Sequence, residues 1–558
     1  MKNKIVVLLF CVILLIAAFL RLFMLSSVPN GLQQDETSIG YNALSIVQTG
    51  KDEYGKSFPL SFKAFGEYKL PLSIYLTSAS FALFGVSDFT LRLTSAIFGI
   101  LTVVVVFFLT LRITKSRQVA FIAMGLLAIN PWHLHFSRGA YEVTPALFCI
   151  TLGIYLFLVF LKKNSSYLLS LSLIFFALSM YGYNIARLFV PLLLILLGVF
   201  YLKKNKQLPK KIFAMPLIVF LIFILPFLYT VFTSGGYQST KGTLITTSAS
   251  VQAANLETRS YINQENHFIS KILFNSVESN AVYYVKNIAS YLNAEFFFVN
   301  GSTHGNHGIG NVGQFYIFEL IFIILGIVFL IRSKNNWNIL LFGWVGLVIA
   351  VASLTREAPH ATRAYFMVVP LTIISAIGFY EIIKKVRNLH MNYRFISVIA
   401  LFGIFLYFVF YYMSSYYFRF PVFYAKNYRS EDRKLVKLLQ ERYDKYDVIY
   451  VDNEAQMLYT SILFYSQFDA SEFQKSVFRA KDDSEGFSRV TSFGKYEYVD
   501  VDNFNPQQKS LLISTREIPG FEVIERFNYP SRPVVIAKGQ EIVSFPVEDV
   551  AYVLLEKN

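Results

Sequence analysis

At 558 residues, with 54% hydrophobic and 17% aromatic side chains and a mean hydropathy of +0.47, the chain is far too apolar for a soluble protein of its size. Its formal net charge of +15 does not point to nucleic acid. The basic residues gather in short clusters between apolar runs, where the bias of Lys and Arg toward the cytoplasmic face of a membrane accounts for them, and no aromatic-interleaved basic groove is present. Cys11 and Cys149 both lie in apolar runs and read as buried thiols, which excludes a cysteine ligand cluster.

In chain order, MKNK opens an apolar run with no small-x-small cleavage site before Pro29, so Lys4 to about Leu25 reads as an uncleaved first span with its N-terminus inside. An external loop, 26–88, follows. It holds GLQQDETSIGYNALSIVQTG (Gly31–Gly50), where Asp35 and Glu36, serving helix capping or chemistry, stand at the start of a short amphipathic helix ended by Gly50, and Pro71–Gly85, an apolar stretch too short to cross and read as a surface helix. Further crossings are expected at Phe89–Ile113, Gln118–Pro131, Val143–Leu161, Tyr167–Tyr181, Leu188–Leu202 and Ile212–Tyr229. A second external loop, 230–315, precedes crossings at Phe315–Ile331, Trp337–Leu354, Tyr365–Ile383 and Phe395–Met413, about eleven spans in all.

The basic clusters at Lys162–Lys163, Lys203–Lys211, Arg332–Lys334 and Lys384–Arg387 then all fall inside. From Ser414 the composition changes. RKLVKLLQERY predicts a helix, DVIYVD and RPVVIAKG predict strands, and 414–558 reads as a small external α/β domain after an all-α membrane domain over 1–413.

This topology collects the polar residues of the span ends on the outer face: Asp35, Glu36, Glu67, Tyr68, Lys69, His133, His135, Arg138, Glu142, Tyr183, Asn184, Arg187, His304, His307, Arg356, Glu357, His360 and Arg363. Ionisable groups at membrane depth are costly unless they pair, face water or bind something. Carboxylates with several arginines suit transfer from an anionic lipid-linked donor, a carboxylate deprotonating an acceptor hydroxyl while arginines hold phosphate.

Asp35 is the first choice for the base, with Glu36 binding an arginine, a metal or the acceptor. Arg356 and Arg363, seven residues apart around a Pro-containing turn, can converge on one phosphate, although Arg356 can instead pair with Glu357 or Glu142. Arg138 and Glu142 are an i, i+4 pair if their segment is helical. His133 and His135 lack a metal-ligand spacing and read as interface histidines. His304, His307 and His360 with Glu67 are either a divalent-metal set or hydrogen-bonding histidines. A transporter or flippase for a lipid-linked saccharide is the alternative function, and it predicts internal pseudo-symmetry and polar groups at mid-membrane.

QDETSIGYNALSIVQTGKDEYG and KAFGEYKLPLSIYLTSASFALFGVSDFTLRL resemble the first external loop of the polytopic GT-C glycosyltransferases that use polyprenyl-phosphate sugars, a superfamily that includes the dolichyl-phosphate-mannose protein mannosyltransferases and the lipid A aminoarabinose transferases. SRGAYEVTP, NGSTHGNHGIGNVGQFYIFEL and PHATRAYFMVVP are similar to other motifs of the group. The resemblance spans roughly residues 1–390. It implies an inverting enzyme with a lipid-linked donor and a protein, lipid or glycan acceptor, Asp35 at the position of the catalytic aspartate, and Lys69 at that of a lysine contacting donor phosphate. The family's Lys-Pro-Pro-Leu reads here Lys69, Leu70, Pro71, Leu72, and the glutamate that directly precedes that lysine in the aminoarabinose enzymes is replaced by Tyr68, with Glu67 one residue earlier.

Overall fold

The computed structural model describes residues 2–65, 67–203, 209, 211–233, 244–247, 251–253, 256–257, 260, 275–302, 304–333, 337–483, 487–504, 506, 510–538, 541–547 and 549–557. Much of the predicted external loop 230–315, and parts of the basic clusters Lys203–Lys211 and Arg332–Lys334, lie outside the described residues. The chain divides into two compact units. The first comprises Met1–Phe23, Ser95–Ser137 and Tyr141–Tyr412, and the second Met24–Thr94, Arg138–Ala140 and Met413–Asn558.

The first unit is a helical membrane domain. Among the described residues, seven helices of the chain are long and apolar enough to cross a bilayer: Lys4–Leu22 (within α1, Lys2–Leu22), Asp88–Thr114 (α4), Val143–Lys163 (α7), Ala186–Lys203 (α9), Lys211–Thr230 (within α10, Lys211–Thr233), Ala361–Arg387 (α14) and Met391–Phe423 (beginning with α15, Met391–Ser414). α1, α10 and α15 present large apolar side chains outward, as lipid-facing helices do, including Leu8 at 63% and Phe402 at 61% exposure. The chain is a multi-pass membrane protein.

Against about eleven expected spans, seven are found among the described residues. The other four predicted crossings are α5 (Arg117–Ile129, 13 residues), α8 (Ser166–Met180, 15), α12 (Glu319–Arg332, 14) and α13 (Trp337–Ser353, 17). At 1.5 Å per residue these reach only about 20–26 Å against a hydrocarbon core of about 30 Å. Around them the core is aromatic, with Trp132, Trp344, Phe136 and Tyr365 fully enclosed. Cys149 is buried, but Cys11 is exposed on the outward surface of α1, contrary to expectation. Late in the predicted second loop the chain forms the helix α11 (Ser276–Ser290).

In the second unit the first loop and the C-terminal region share one core. α2 (Gln34–Thr49) closes at Gly50, whose left-handed backbone lets its N–H reach Ile46 O at 2.9 Å. A two-stranded antiparallel ribbon follows, β1 (Phe62–Ala64) and β2 (Glu67–Lys69), pairing Ala64 with Glu67 and Phe62 with Lys69. The surface helix expected near Pro71 is α3 (Pro71–Phe84).

The C-terminal region forms a seven-stranded mixed sheet in the order β4-β5-β6-β3-β7-β11-β8. Its parallel centre is β3 (Ile449–Asp452) between β6 (Tyr496–Val499) and β7 (Ser510–Ser514). The flanking strands are β4 (Phe478–Arg479), β5 (Val490–Phe493), β8 (Glu522–Asn528) and β11 (Val550–Lys557), while β9 (Arg532–Lys538) and β10 (Glu541–Val547) form a separate hairpin. Helices α16 (Asp432–Arg442), α17 (Leu458–Tyr465) and α18 (Ala470–Ser476) complete it. Ile39, Leu44 and Phe81 of the first loop pack into the same core as Leu435, Ile462 and Phe473, and Thr37 meets Thr460 at 2.9 Å between hydroxyls.

Candidate active site

The start of α2 is fixed from below. At Gly31, φ is +85° and a Cβ would run into the Tyr428 carbonyl, so only glycine lets the chain turn here. Gln33, not Asp35, caps the helix, which puts Asp35 and Glu36 inside the first turn. Their environments then diverge completely.

Glu36 is fully buried. Its Oε1 accepts from Arg92 Nε at 2.9 Å and from the Ala140 N–H at 2.9 Å, and its Oε2 from Arg92 Nη2 at 3.0 Å and the Gln33 N–H at 3.2 Å. Arg92, equally buried, also donates to the carbonyls of Leu25, Pro29 and Gly31 at 3.1, 3.0 and 2.5 Å. Arg92 and Glu36 thus form a fully buried, two-pronged ion pair in which the guanidinium donates both bonds. Of the expected roles for Glu36, it is an arginine that the carboxylate holds in this structure, and the pair fixes the entrance to α2.

Asp35 faces outward, with its side chain 55% exposed. Lys69 Nζ donates to Asp35 Oδ1 at 2.8 Å and to Glu67 Oε1 at 2.5 Å, with the Phe65 ring 5.4 Å away. Lys69 is 3% exposed while Glu67 is 45% exposed, so a buried cation is shared by two open carboxylates. The strand explains the sharing. Residues two apart in β2 lie on one face, which aligns Glu67 with Lys69 and sends Tyr68 the other way, against Phe487 at 5.5 Å. Nearby, the Glu53 carboxyl is buried and its proton affinity is pushed up to about 7 by desolvation, opposed by Arg479 and Lys69 and reinforced by Asp52.

Arg138 belongs to the same unit but is 1% exposed. It donates to Tyr416 Oη at 3.2 Å and to the carbonyls of Val28 and Met24 at 3.0 and 3.4 Å, and its guanidinium lies over the Tyr416 and Tyr417 rings. These contacts tie the first loop to the end of the last long helix. Residues 137–142 form no helix, so the helical condition for an Arg138–Glu142 pair is not met.

In the first unit, the charge of Glu142 acts on Arg187, which sits over the Phe227 ring at 5.2 Å. Tyr183 and Asn184 occupy the turn before α9, Tyr183 edge-on to Phe366. Arg363 Nη1 donates to Thr355 Oγ1 at 3.2 Å and to the Arg356 carbonyl, and its Nη2 lies 3.4 Å from Glu357 Oε2. Arg356 extends half-exposed with Nε 3.9 Å from the same carboxylate. The two arginines thus flank Glu357.

His304, His307 and His360 gather with ring centroids 4.6–5.7 Å apart. Burial, then His307, Arg363 and His304, hold His360 well below the usual imidazole range, so it stands neutral. Among the described residues, no group of three or more His, Cys, Asp or Glu side chains is arranged to hold a metal ion, and Glu67 belongs to the other unit. His133 Nδ1 accepts from Arg21 Nη2 at 2.7 Å, and His135 Nε2 lies 2.9 Å from the Asn306 carbonyl, so both are used structurally.

Sequence reasoning missed Arg92, Arg21 and Glu53. A signal existed for the two arginines, since each stands inside or beside a long apolar helix, where a charge demands a partner.

Residues 69–229 match the family model described as dolichyl-phosphate-mannose-protein mannosyltransferase. The match begins at Lys69 and covers less than a third of the chain. An uncharacterized protein of Aquifex aeolicus (strain VF5) is 28% identical over 167 residues, covering 29% of this chain and 34% of the relative. Among solved structures, ArnT from Cupriavidus metallidurans bound to undecaprenyl phosphate superposes with a TM-score of 0.56 at 12% identity, covering 100% of this chain and 98% of that one. The oligosaccharyltransferase AglB from Archaeoglobus fulgidus, in complex with an inhibitory peptide and a dolichol-phosphate, gives 0.51 at 14% identity, over 83% of this chain and 64% of that one. The chain thus spans about a third of the length of the curated relative and about two thirds of AglB. In fold, the chain resembles the polytopic membrane proteins of the GT-C group.

Proposed function

We propose that the protein is a membrane glycosyltransferase that moves a sugar from a polyprenyl-phosphate-linked donor to a hydroxyl of a protein, lipid or surface glycan. The observation that carries this reading is the open Asp35 carboxylate at the head of α2, 2.8 Å from the buried ammonium of Lys69. Asp35 accepts the proton of the acceptor hydroxyl, whose oxygen forms the new bond to the anomeric carbon. The bond from that carbon to the phosphate oxygen breaks, and the polyprenyl phosphate leaves with the electron pair. Attack from the face opposite the phosphate inverts the anomeric centre. Lys69 offsets the charge on the departing phosphate, as a pre-placed cation does best where water is scarce. Arg187, Arg356 and Arg363 of the first unit are further candidates for phosphate contact, with Tyr183, Asn184, Glu142, His307 and His360 as further candidate cavity residues.

The fold shared with proteins solved with undecaprenyl phosphate and a dolichol-phosphate supports the donor class. In this reading the N-terminus is cytoplasmic, the enzyme resides in the cell membrane, and the C-terminal domain lies outside. The test is incubation of membranes carrying the protein with a panel of labelled polyprenyl-phosphate sugars. Transfer of label to an acceptor with inverted anomeric configuration is expected. Accumulation of intact lipid-linked sugar on the opposite leaflet without transfer would point to a flippase instead.

A further inference from the structure

The second unit contains a cleft that the proposed reaction leaves unused. It measures about 530 Å³ and its lining includes Ser87, Asp88, Phe89, Arg433, Lys437 and Tyr465. α16 shapes one wall. Its Leu435, Val436 and Leu439 are buried, which leaves Arg433, Lys437 and Gln440, at i, i+4 and i+7, along the opposite face. Arg433 donates to the Asp88 carboxylate and lies 5.3 Å from the Tyr465 ring. Lys437 is exposed and has no hydrogen-bond, ion-pair or ring partner among the described residues. With Asp88 neutralised by Arg433, the cleft keeps one uncompensated positive charge.

Its depth follows from α4, which begins at Asp88 and runs 27 residues. That is about 40 Å, the thickness of a bilayer with its headgroup layers rather than of the hydrocarbon alone. Asp88 therefore stands at headgroup level. The residues just before it are apolar and uncovered, Leu83 at 75% and Phe84 at 64% exposure, and Phe89 at 39% continues the patch. An uncompensated cation beside bare apolar side chains at headgroup depth is complementary to an amphiphile with an anionic head.

We propose that this cleft binds the headgroup of an anionic phospholipid, with Lys437 at the phosphate and Leu83 and Phe84 against the upper acyl chains. The site is separate from Asp35 and Lys69 and does not depend on the reaction proposed above. The test places the full-length protein in phosphatidylcholine nanodiscs doped with a photoactivatable phosphatidylglycerol and maps the crosslinked peptides. Labelling within residues 83–89 and 433–440 is expected. It should fall about fivefold in Lys437→Gln, the worth of one basic residue at an anionic surface, and be kept in Lys437→Arg. Lys437 is exposed, so neither substitution touches the core of α16. Equal labelling by a phosphatidylcholine probe, or undiminished labelling of Lys437→Gln, would overturn the proposal. So would its loss to millimolar inorganic phosphate, which would assign the cleft to a soluble anion.

Discussion

Asp35 and Glu36 are neighbours in one helical turn, yet one is half open beside a shared lysine and the other has no exposed surface at all. The difference shows how a single turn can separate holding from reacting. A carboxylate saturated by a guanidinium and two backbone N–H groups is a strut, because every lone pair is already committed. A carboxylate that is half exposed to water can still take a proton. Lys69 and Arg92 mirror the division: Arg92 spends its donors on Glu36 and three carbonyls, whereas Lys69 bridges two groups that both face outward.

The sharpest way to break this comparison is at Asp35. Asp35→Asn keeps the shape and loses the base, so transfer from a polyprenyl-phosphate donor should fall about 10²–10⁴-fold with the melting temperature unchanged. Near-normal turnover would remove Asp35 from the chemistry. At Glu36 the expected effect lies in stability instead. Glu36→Gln leaves Arg92 charged, buried and without a counterion, a loss of about 3–5 kcal/mol, and the double variant Glu36→Gln, Arg92→Met should recover part of it. Thermal unfolding in detergent measures both; a Glu36→Gln protein that melts normally but is inactive would make Glu36 a catalytic group after all.

A third expectation concerns the buried acid beside the pair. Burial raises Glu53 from the ordinary carboxylate value of 4.5 to about 7 in the folded protein. Between those values the folded state holds a proton that the unfolded state has released. Its contribution to stability is therefore complete below about pH 4.5 and is lost as pH rises through about 7, on the order of 3 kcal/mol in all. Glu53→Gln should flatten that slope in melting curves taken across this window. An unchanged slope would place the titration elsewhere.

Much of this was legible in the sequence, and the rest was hidden for identifiable reasons. The apolar runs marked the seven long helices, and Gly50 marked the end of α2. Four further runs were equally apolar, but their helices stop short of the membrane thickness, and hydropathy does not report where a helix stops. The ribbon of β1 and β2 was invisible because three-residue strands carry no usable period. Pairing between distant segments was hidden as well. That Thr37 meets Thr460, or that Glu36 receives the Ala140 N–H, depends on chain separations that no local pattern encodes. The displacement of the acid from position 68 to position 67 was legible as a departure from the family pattern, and only the strand shows what it does. In an extended chain that shift turns the carboxylate onto the lysine face.

The smallest expected effect tests that last point. Glu67 is 45% exposed, so its ion pair with Lys69 is screened and worth well under the buried pair. If Lys69 contacts the donor phosphate, Glu67 competes with that phosphate for the same ammonium. Glu67→Gln should then tighten donor binding and slow release of the polyprenyl phosphate, lowering both KM for the donor and kcat by about two- to fivefold, with Glu67→Asp close to wild type. A merely disturbed ribbon would lower kcat while raising KM. The sign of the KM change therefore decides whether the lysine at this site is held in reserve by its strand neighbour or belongs to Asp35 alone.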